Sequence, residues 1–464
     1  MKILLTLPRF EHNANPPLGI AYIASYLKQR NFDVEILDPT FENFEFAEKR
    51  LLKADYDILG LSCFTMNYNL SKKLAAIAKQ ANPNVLTAFG GVHPTIMPEL
   101  CIKDREVDAV IIGEGEQTFA EIAENLEKNK SLKGIKGLWF KSGKRVFKNS
   151  QRPLIKDLDS LPFPARELLP MDKYIHATYG TSAWAVKQPS TTVISGRGCP
   201  YQCTYCATKQ LFGLTIRLRS AKNLVDEIEL LMHNYRIKGL QFVDDTFTIN
   251  QKLVSEVCDE IAARRLDIEW ACHTRVNNVS LELFRKMRQA GCKVIGMGIE
   301  SGNQWVLDNL IKKGITLEQA RTAFKWAKSA GLITDSYFMI GIPGETKGQI
   351  MQTIEFAKEL NPDAANFNIT RPLPKTEMYC IAEKYGKITA KGWDDYSFDA
   401  RSIYATDAWT EEEIQALLKR AYREFYFRPG FVLRQLFGIR SSADLRKIAN
   451  GLRMVLNRLS VKSE

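Results

Sequence analysis

No run of apolar residues in this 464-residue chain approaches the roughly 18 that a membrane-spanning helix needs. The longest stretches, such as 18–27, are short and carry polar residues, so no transmembrane helix is predicted. A secretory leader is not recognisable either. MKILLTLPRF has one lysine and a short apolar run that breaks at Pro8, which reads as a buried first strand. A cytoplasmic protein is expected. The sequence also lacks a disulfide framework: its nine cysteines are odd in number and thinly spread apart from one cluster of three. Such a cluster in a reducing compartment favours metal binding. Cys63, Cys101, Cys258, Cys272, Cys292 and Cys380 lie in apolar or mixed contexts and read as small packing hydrophobes. Histidine is scarce, five in all, and none lies close to the cysteine cluster.

What is present is the composition of a soluble globular chain, 45% hydrophobic and 25% charged, long enough for two or three domains. The net charge of +11 is uneven. Residues 417–464 hold eleven Lys/Arg against three acids, which puts +8 of it in the tail.

The segments KILLTLP (2–8), DVEILDP (33–39), DILGLSCFT (57–65), VLTAFGG (85–91) and VDAVIIGEGE (107–116) read as strands separated by single helices. That alternation predicts an α/β fold with a parallel, doubly wound, Rossmann-like domain over residues 1–140. Ligands of such sheets bind beyond the carboxyl ends of the strands. The unusual turns fall there: one with Pro17 and Gly19, one from Gly60 to Thr65 with the hydroxyls of Ser62 and Thr65, one with Gly90 and Gly91, and Gly113-Glu114-Gly115-Glu116. Four such turns on one edge point to a large flat ligand. Residues 141–190, rich in Lys/Ser/Gly turns and prolines, read as a linker. Six further strand–helix repeats over 191–385 predict a partial (β/α)6 TIM-like barrel, with its chemistry at the strand carboxyl ends. Residues 386–464 read as a basic, mostly helical C-terminal region.

Just after the first barrel strand, Gly196-Arg197-Gly198-Cys199-Pro200-Tyr201-Gln202-Cys203-Thr204-Tyr205-Cys206 has C-x3-C-x2-C spacing. Thiolates suit iron–sulfur clusters. Three of them can wrap one face of a cubane and leave the fourth iron open to a ligand's amine and carboxylate. Zinc would want a fourth ligand, and His233 is 27 residues beyond Cys206 in a helical stretch.

Cys199, Cys203 and Cys206, with Tyr205 before the last cysteine, resemble the signature of the radical S-adenosylmethionine (SAM) superfamily. The segments 242–247, 296–302 and 340–344 match in order and location. The resemblance implies a [4Fe-4S] cluster on the three cysteines, and Glu300 and Ser301 near the methionyl and ribose parts of SAM. It implies that Gly341–Pro343 passes the adenine. Asp244 and Asp245 read as SAM or substrate contacts or as a capped strand end. His273 and Arg275 read as mouth ligands or as a rim pair bonded to each other or to backbone.

The doubly wound domain before such a barrel resembles the cobalamin-binding domain of the cobalamin-dependent radical SAM group, carried by the turns at Pro16–Gly19, Gly60–Thr65 and Gly90–His93. The Asp-x-His-x-x-Gly motif, whose histidine binds cobalt from below, is absent, and neither His12 nor His93 sits in one. With that motif absent, the resemblance to the group implies base-off cobalamin with no histidine ligand. The group resemblance implies methylation of an unactivated carbon through a 5′-deoxyadenosyl radical and methylcobalamin, with an electron donor such as flavodoxin or ferredoxin. The anaerobic magnesium-protoporphyrin ester cyclase and hopanoid methylases share the architecture, so ring-forming oxidation of a tetrapyrrole or lipid is the alternative. A tRNA methylthiotransferase would carry three more cysteines in the first domain, which has only Cys63 and Cys101; no nucleic-acid partner is expected. The stretch 422–436 interleaves aromatics with arginines and resembles the tail of enzymes acting on lipids or tetrapyrroles. It reads as a peripheral membrane contact or as helices packed on the barrel.

Overall fold

The computed structural model describes residues 1–10, 15–53, 55–177, 186–397 and 401–437, with parts of 448–459. His12 and Arg440, Arg446, Lys447 and Lys462 of the basic tail lie outside the described residues.

The first sheet runs β2-β1-β3-β4-β5-β6-β7, with β1 (Lys2–Thr6), β2 (Asp33–Leu37), β3 (Ile58–Ser62), β4 (Leu86–Gly90), β5 (Ala109–Ile111), β6 (Leu138–Ser142) and β7 (Arg145–Lys148). β1 to β5 pair in parallel. Their near-continuous apolar sequences suit strands covered on both faces. One face packs Ile3, Leu5 and Ile58 on Phe119, and the other packs Leu4, Leu59 and Phe89 with Tyr68. Strand order reverses between β1 and β3, which makes the carboxyl edge there the switch point where ligands bind.

The antiparallel hairpin β6–β7 extends this sheet past residue 140, into the stretch that reads as linker. Its turn at Gly143 (φ +58) and its exposed Lys/Arg belong to an edge strand, whose charged side chains look like loop. Residues further on are also packed. Leu169, Met171, Tyr174 and Ile175 join the barrel core, while the Tyr174 hydroxyl donates to Asp38 of the first domain at 2.6 Å.

The second sheet has six parallel strands in the order β8-β11-β12-β13-β14-β15, an open barrel. These are β8 (Ser190–Val193), β11 (Gly239–Phe242), β12 (Glu269–Thr274), β13 (Cys292–Glu300), β14 (Ile333–Ile340) and β15 (Ala364–Ile369). Between β8 and β11 lies a short antiparallel pair, β9 (Gly196–Arg197) and β10 (Arg217–Leu218). The outer helices begin at Ser220, Asn250, Ser280, Thr316 and Thr346, each of whose side chains accepts from a backbone N–H three residues on.

The tail helix Glu411–Tyr426 packs on β15, the open edge. The Tyr422 hydroxyl bonds both N–H (3.3 Å) and C=O (3.1 Å) of Phe367, and the Tyr426 hydroxyl does the same at Ala365 (3.0 and 2.9 Å). Two tyrosines thus satisfy edge groups that would otherwise invite another strand. Arg428 lies 4.3 Å from the Phe425 ring and donates to Lys358 O and Asn361. Much of the aromatic–arginine stretch is therefore spent on the barrel, and Phe427, Leu433 and Phe437 remain exposed. No helix among the described residues is long and apolar enough to cross a membrane.

Candidate active site

All three motif cysteines lie on residues 198–216, a loop closed at its base by β9–β10. Gly198 has φ +97, and a Cβ there would sit 2.3 Å from Thr215 O, so only glycine lets the loop start. The turn before it is tied down by Asp244. Its carboxylate accepts from Ser195 N and Oγ and from Gly196 N, at 2.8–3.2 Å. Burial pushes this carboxyl up to about 6, against those hydrogen bonds. Asp244 is thus spent on a strand-end turn. Asp245 is exposed and lies near Cys199 and Cys206.

Thr204 is the anchor that sequence reading missed. It is fully buried, donating N–H to Ile311 O (2.9 Å) and Oγ1 to Leu310 O (2.6 Å), while its carbonyl accepts from Met378 N (2.8 Å). It fixes Cys203 and Tyr205, its neighbours in the chain. The thiols converge: burial raises the pKa of Cys199 and Cys206, and the neighbouring thiols add to it. No three His, Cys, Asp or Glu among the described residues gather tightly enough for one metal ion. Three thiolates on one loop are the donor set of a cluster, whose irons each take one thiolate.

Charged groups surround these thiols. Arg275 Nη1 lies 3.5 Å from Cys203 Sγ, its guanidinium sits 3.6 Å from the Tyr201 ring centroid, and its Nη2 bonds Lys313 O. His273 bonds Tyr337 (3.0 Å) on β14, so the two rim residues of β12 turn to different partners. Burial lowers His273 to about 4, keeping it neutral.

Glu300 closes β13 at a register shift, with φ +70. It accepts from Lys313 Nζ at 2.7 Å and from Tyr205 OH at 3.1 Å. A Cβ at Gly298 would meet Glu300 Oε1 at 2.6 Å and Lys313 Nζ at 3.0 Å, so that glycine makes room for the pair. Tyr205, Glu300 and the cysteines are thus brought together. Ser301 is fully buried, its hydroxyl bonded to Thr353 (3.2 Å) and to Asn303 N (3.2 Å).

Gly341 (φ +74) and Pro343 are buried, Gly341 against Ile414 of the tail helix. Their turn is held by Glu345, which accepts from Ile342 N at 3.0 Å. Burial pushes Glu345 up to about 8, with those backbone bonds opposing. The folded carboxyl keeps a proton that the unfolded chain releases near its ordinary 4.5. Stability should therefore be full below pH 4.5 and fall as pH rises toward 8, by a few kcal/mol. E345Q should flatten that slope, measured as urea midpoints at pH 5 and pH 8.5.

The first-domain edge faces this loop. The helix Val92–Ile96, which starts at Gly91, packs against the helix Thr208–Phe212, which starts two residues past Cys206. Gly91 has φ +92, and a Cβ on it would lie 2.9 Å from Cys63 N. Ser62 and Thr65 line the same turns, with Thr65 Oγ1 3.3 Å from His93 Nδ1. His93 is buried between Tyr68 and Trp393, and burial lowers it to about 4. Pro17 is buried, whereas Gly19 is exposed, with open space where its Cβ would be. The buried Thr6 Oγ1, at the end of β1 beside the switch point, and His93 Nε2 have no hydrogen-bond partner among the described residues. A glycine-lined edge with unfilled polar atoms fits a large planar cofactor.

Residues 12–123 match the B12 binding domain family and residues 193–357 the radical SAM superfamily. An uncharacterised methyltransferase of Pyrococcus horikoshii is 37% identical over 447 residues, covering 94% of this chain and 95% of that protein. The anaerobic magnesium-protoporphyrin IX monomethyl ester cyclase of Rubrivivax gelatinosus is 28% identical, covering 90% and 75%. Among solved structures, the radical SAM methyltransferase TsrM of Kitasatospora setae, with cobalamin and a [4Fe-4S] cluster bound, has a TM-score of 0.71 at 18% identity. That alignment covers 82% of this chain and 78% of TsrM, and it shares the fold. With both domains in that order, and near-full-length identity to a relative, the chain belongs to the cobalamin-dependent radical SAM enzymes, which work with a [4Fe-4S] cluster, SAM and cobalamin.

Proposed function

We propose that this enzyme methylates an unactivated carbon of a small molecule. The observation that carries the reading is the packing of the Gly91 helix on the segment just past Cys206, which sets a cobalamin edge against a cluster loop. With its cofactors bound, the site supplies a 5′-deoxyadenosyl radical to abstract hydrogen and a methyl group for the resulting carbon. The chain's own residues do the rest. Cys199, Cys203 and Cys206 hold the cluster. Tyr205, Glu300 and Lys313 form a buried polar wall for SAM, and the turn of Gly341 and Pro343 takes the adenine. Pro17, Gly19, Ser62, Thr65, Gly90 and Gly91 would frame the cobalamin, for which the sequence offers no Asp-x-His-x-x-Gly histidine. Trp393 meets His93 edge to face beside these turns, with ring centroids 4.7 Å apart.

The electron comes from a flavodoxin or ferredoxin in the cytoplasm. Exposed Phe427, Leu433 and Phe437 beside a basic tail suit a peripheral membrane contact, and with it a lipid or tetrapyrrole substrate.

The test is anaerobic reconstitution with iron, sulfide and cobalamin, followed by SAM, reductant and cell extract fractions. 5′-Deoxyadenosine and S-adenosylhomocysteine rising together, with one CH2 added to a compound in the extract, is the expected result. 5′-Deoxyadenosine without S-adenosylhomocysteine, alongside an oxidised product, would replace methyl transfer by ring-forming oxidation.

A further inference from the structure

The turn Gly113-Glu114-Gly115-Glu116 reads from sequence as part of the ligand edge, but its carboxylates are turned toward the barrel. Glu114 Oε1 accepts from Arg197 Nη1 at 2.7 Å and from Arg217 Nη1 at 2.8 Å. Glu114 Oε2 accepts from the same Arg217 nitrogen at 2.8 Å and from Ile155 N at 2.7 Å. Glu116 Oε1 takes the other Arg197 nitrogen, Nη2, at 2.6 Å. These side chains are 3–12% exposed, so the four charges form one desolvated cluster at the join between the domains.

The two arginines are not arbitrary barrel residues. Arg197 and Arg217 are partners across β9–β10, the pair that closes residues 198–216, and Arg197 precedes Cys199 by two positions. A two-residue strand pair has little to hold it by itself, since even a full isolated hairpin is marginal in water. Both of its arginines are tied to one turn of the other domain. The fork of Arg197 spans both glutamates, which a single-point cation could not do. Arg197 also lies over the ring of Tyr22, 5.3 Å from its centroid, on the first helix of that domain. Gly115 permits the close approach: a Cβ there would lie 2.8 Å from Ile23 Cδ1 on the same helix.

We infer that Glu114 and Glu116 are positioning residues that set the cluster loop against the cobalamin-binding edge, so that hydrogen abstraction and methyl transfer stay coupled. The inference rests on the proposed methyl transfer for its second half only. The loop's dependence on the first domain stands apart from it.

The experiment uses full-length E116Q and R197K, compared with the parent and with E167Q, which breaks the exposed Lys28–Glu167 pair. E116Q removes one of the ion pairs and leaves Glu114 holding both arginines, which keeps the fold. R197K keeps the charge and loses the fork. The first readout is amide hydrogen exchange in the cofactor-free protein. Residues 198–216 should exchange about tenfold faster in E116Q and R197K, with β1 to β5 unchanged and E167Q like the parent. The second readout is the ratio of S-adenosylhomocysteine to 5′-deoxyadenosine in reconstituted protein. It should fall severalfold in both variants, as SAM cleavage continues without methylation. Unchanged exchange in 198–216, or equal acceleration in both domains, would overturn the positioning role. Faster loop exchange with an unchanged product ratio would overturn the coupling. A parent making no S-adenosylhomocysteine would defeat the methyl-transfer reading and the coupling with it, while the exchange result still decides the loop's dependence.

Discussion

Serine at Cys199, Cys203 or Cys206 is expected to bring SAM cleavage to background while the chain stays folded and its first domain still binds cobalamin. Each thiol would ligate a different iron, so losing any one removes a corner of the cluster, and serine's harder oxygen is a poor replacement. The structural costs differ. Cys203 is buried with Arg275 Nη1 3.5 Å from its sulfur, so a hydroxyl there keeps a donor nearby and costs less than the roughly 1–3 kcal/mol of an unpartnered one. Cys199 and Cys206 are half-buried, and water can satisfy a serine at either. C199S and C206S should therefore show near-parental urea midpoints, with iron content and visible cluster absorption greatly reduced. Cobalamin binding, followed by its own spectrum, should persist because Gly90 ends β4 of a separate sheet and Gly91 follows it in the same domain. A serine variant that cleaves SAM at the parental rate would remove that cysteine from the ligand set.

How far the site could be read in advance depended on whether each residue's job was local. The cysteine spacing is local. The strand–helix alternation exposed both sheets because buried parallel strands keep an apolar signature regardless of their neighbours. Residues that act through tertiary partners left no such mark. Thr204 occupies a free position of the motif, and its hydrogen bonds go to residues 310, 311 and 378. Lys313 sits in a run of polar and apolar residues, where a lysine's default reading is solvation. Ser301 follows Glu300 in sequence, yet it lies past the end of β13, where the chain turns its hydroxyl to Thr353 on the helix Lys347–Leu360. The hairpin β6–β7 was hidden by its charged edge. Glu114 and Glu116 looked like the ends of a ligand turn because nothing in their own segment shows Arg197 and Arg217 approaching from the next domain.

Lys313 and Glu300 give the second large effect, because the pair joins a stability cost to a chemical one. Lys313 is 4% exposed and its ammonium pairs with Glu300 at 2.7 Å. E300A would leave that charge desolvated and uncompensated, with an expected loss of about 3–5 kcal/mol. It would also deprive the Tyr205 hydroxyl of its acceptor beside Cys206. Replacing both members by apolar residues of similar size removes the unpaired charge, so E300L/K313M should recover most of that stability. SAM cleavage should not recover, since no carboxylate would remain at the end of β13 to meet the cofactor's polar groups. Urea midpoints and 5′-deoxyadenosine yields separate these outcomes: a stable double variant that still cleaves SAM would reduce the pair to packing. The positive φ of Glu300 points the same way, because a backbone strain of about 1–3 kcal/mol at a non-glycine residue persists where the surroundings hold it. Here a register shift, the missing Cβ of Gly298 and the buried ammonium all hold that one carboxylate at the mouth of the barrel.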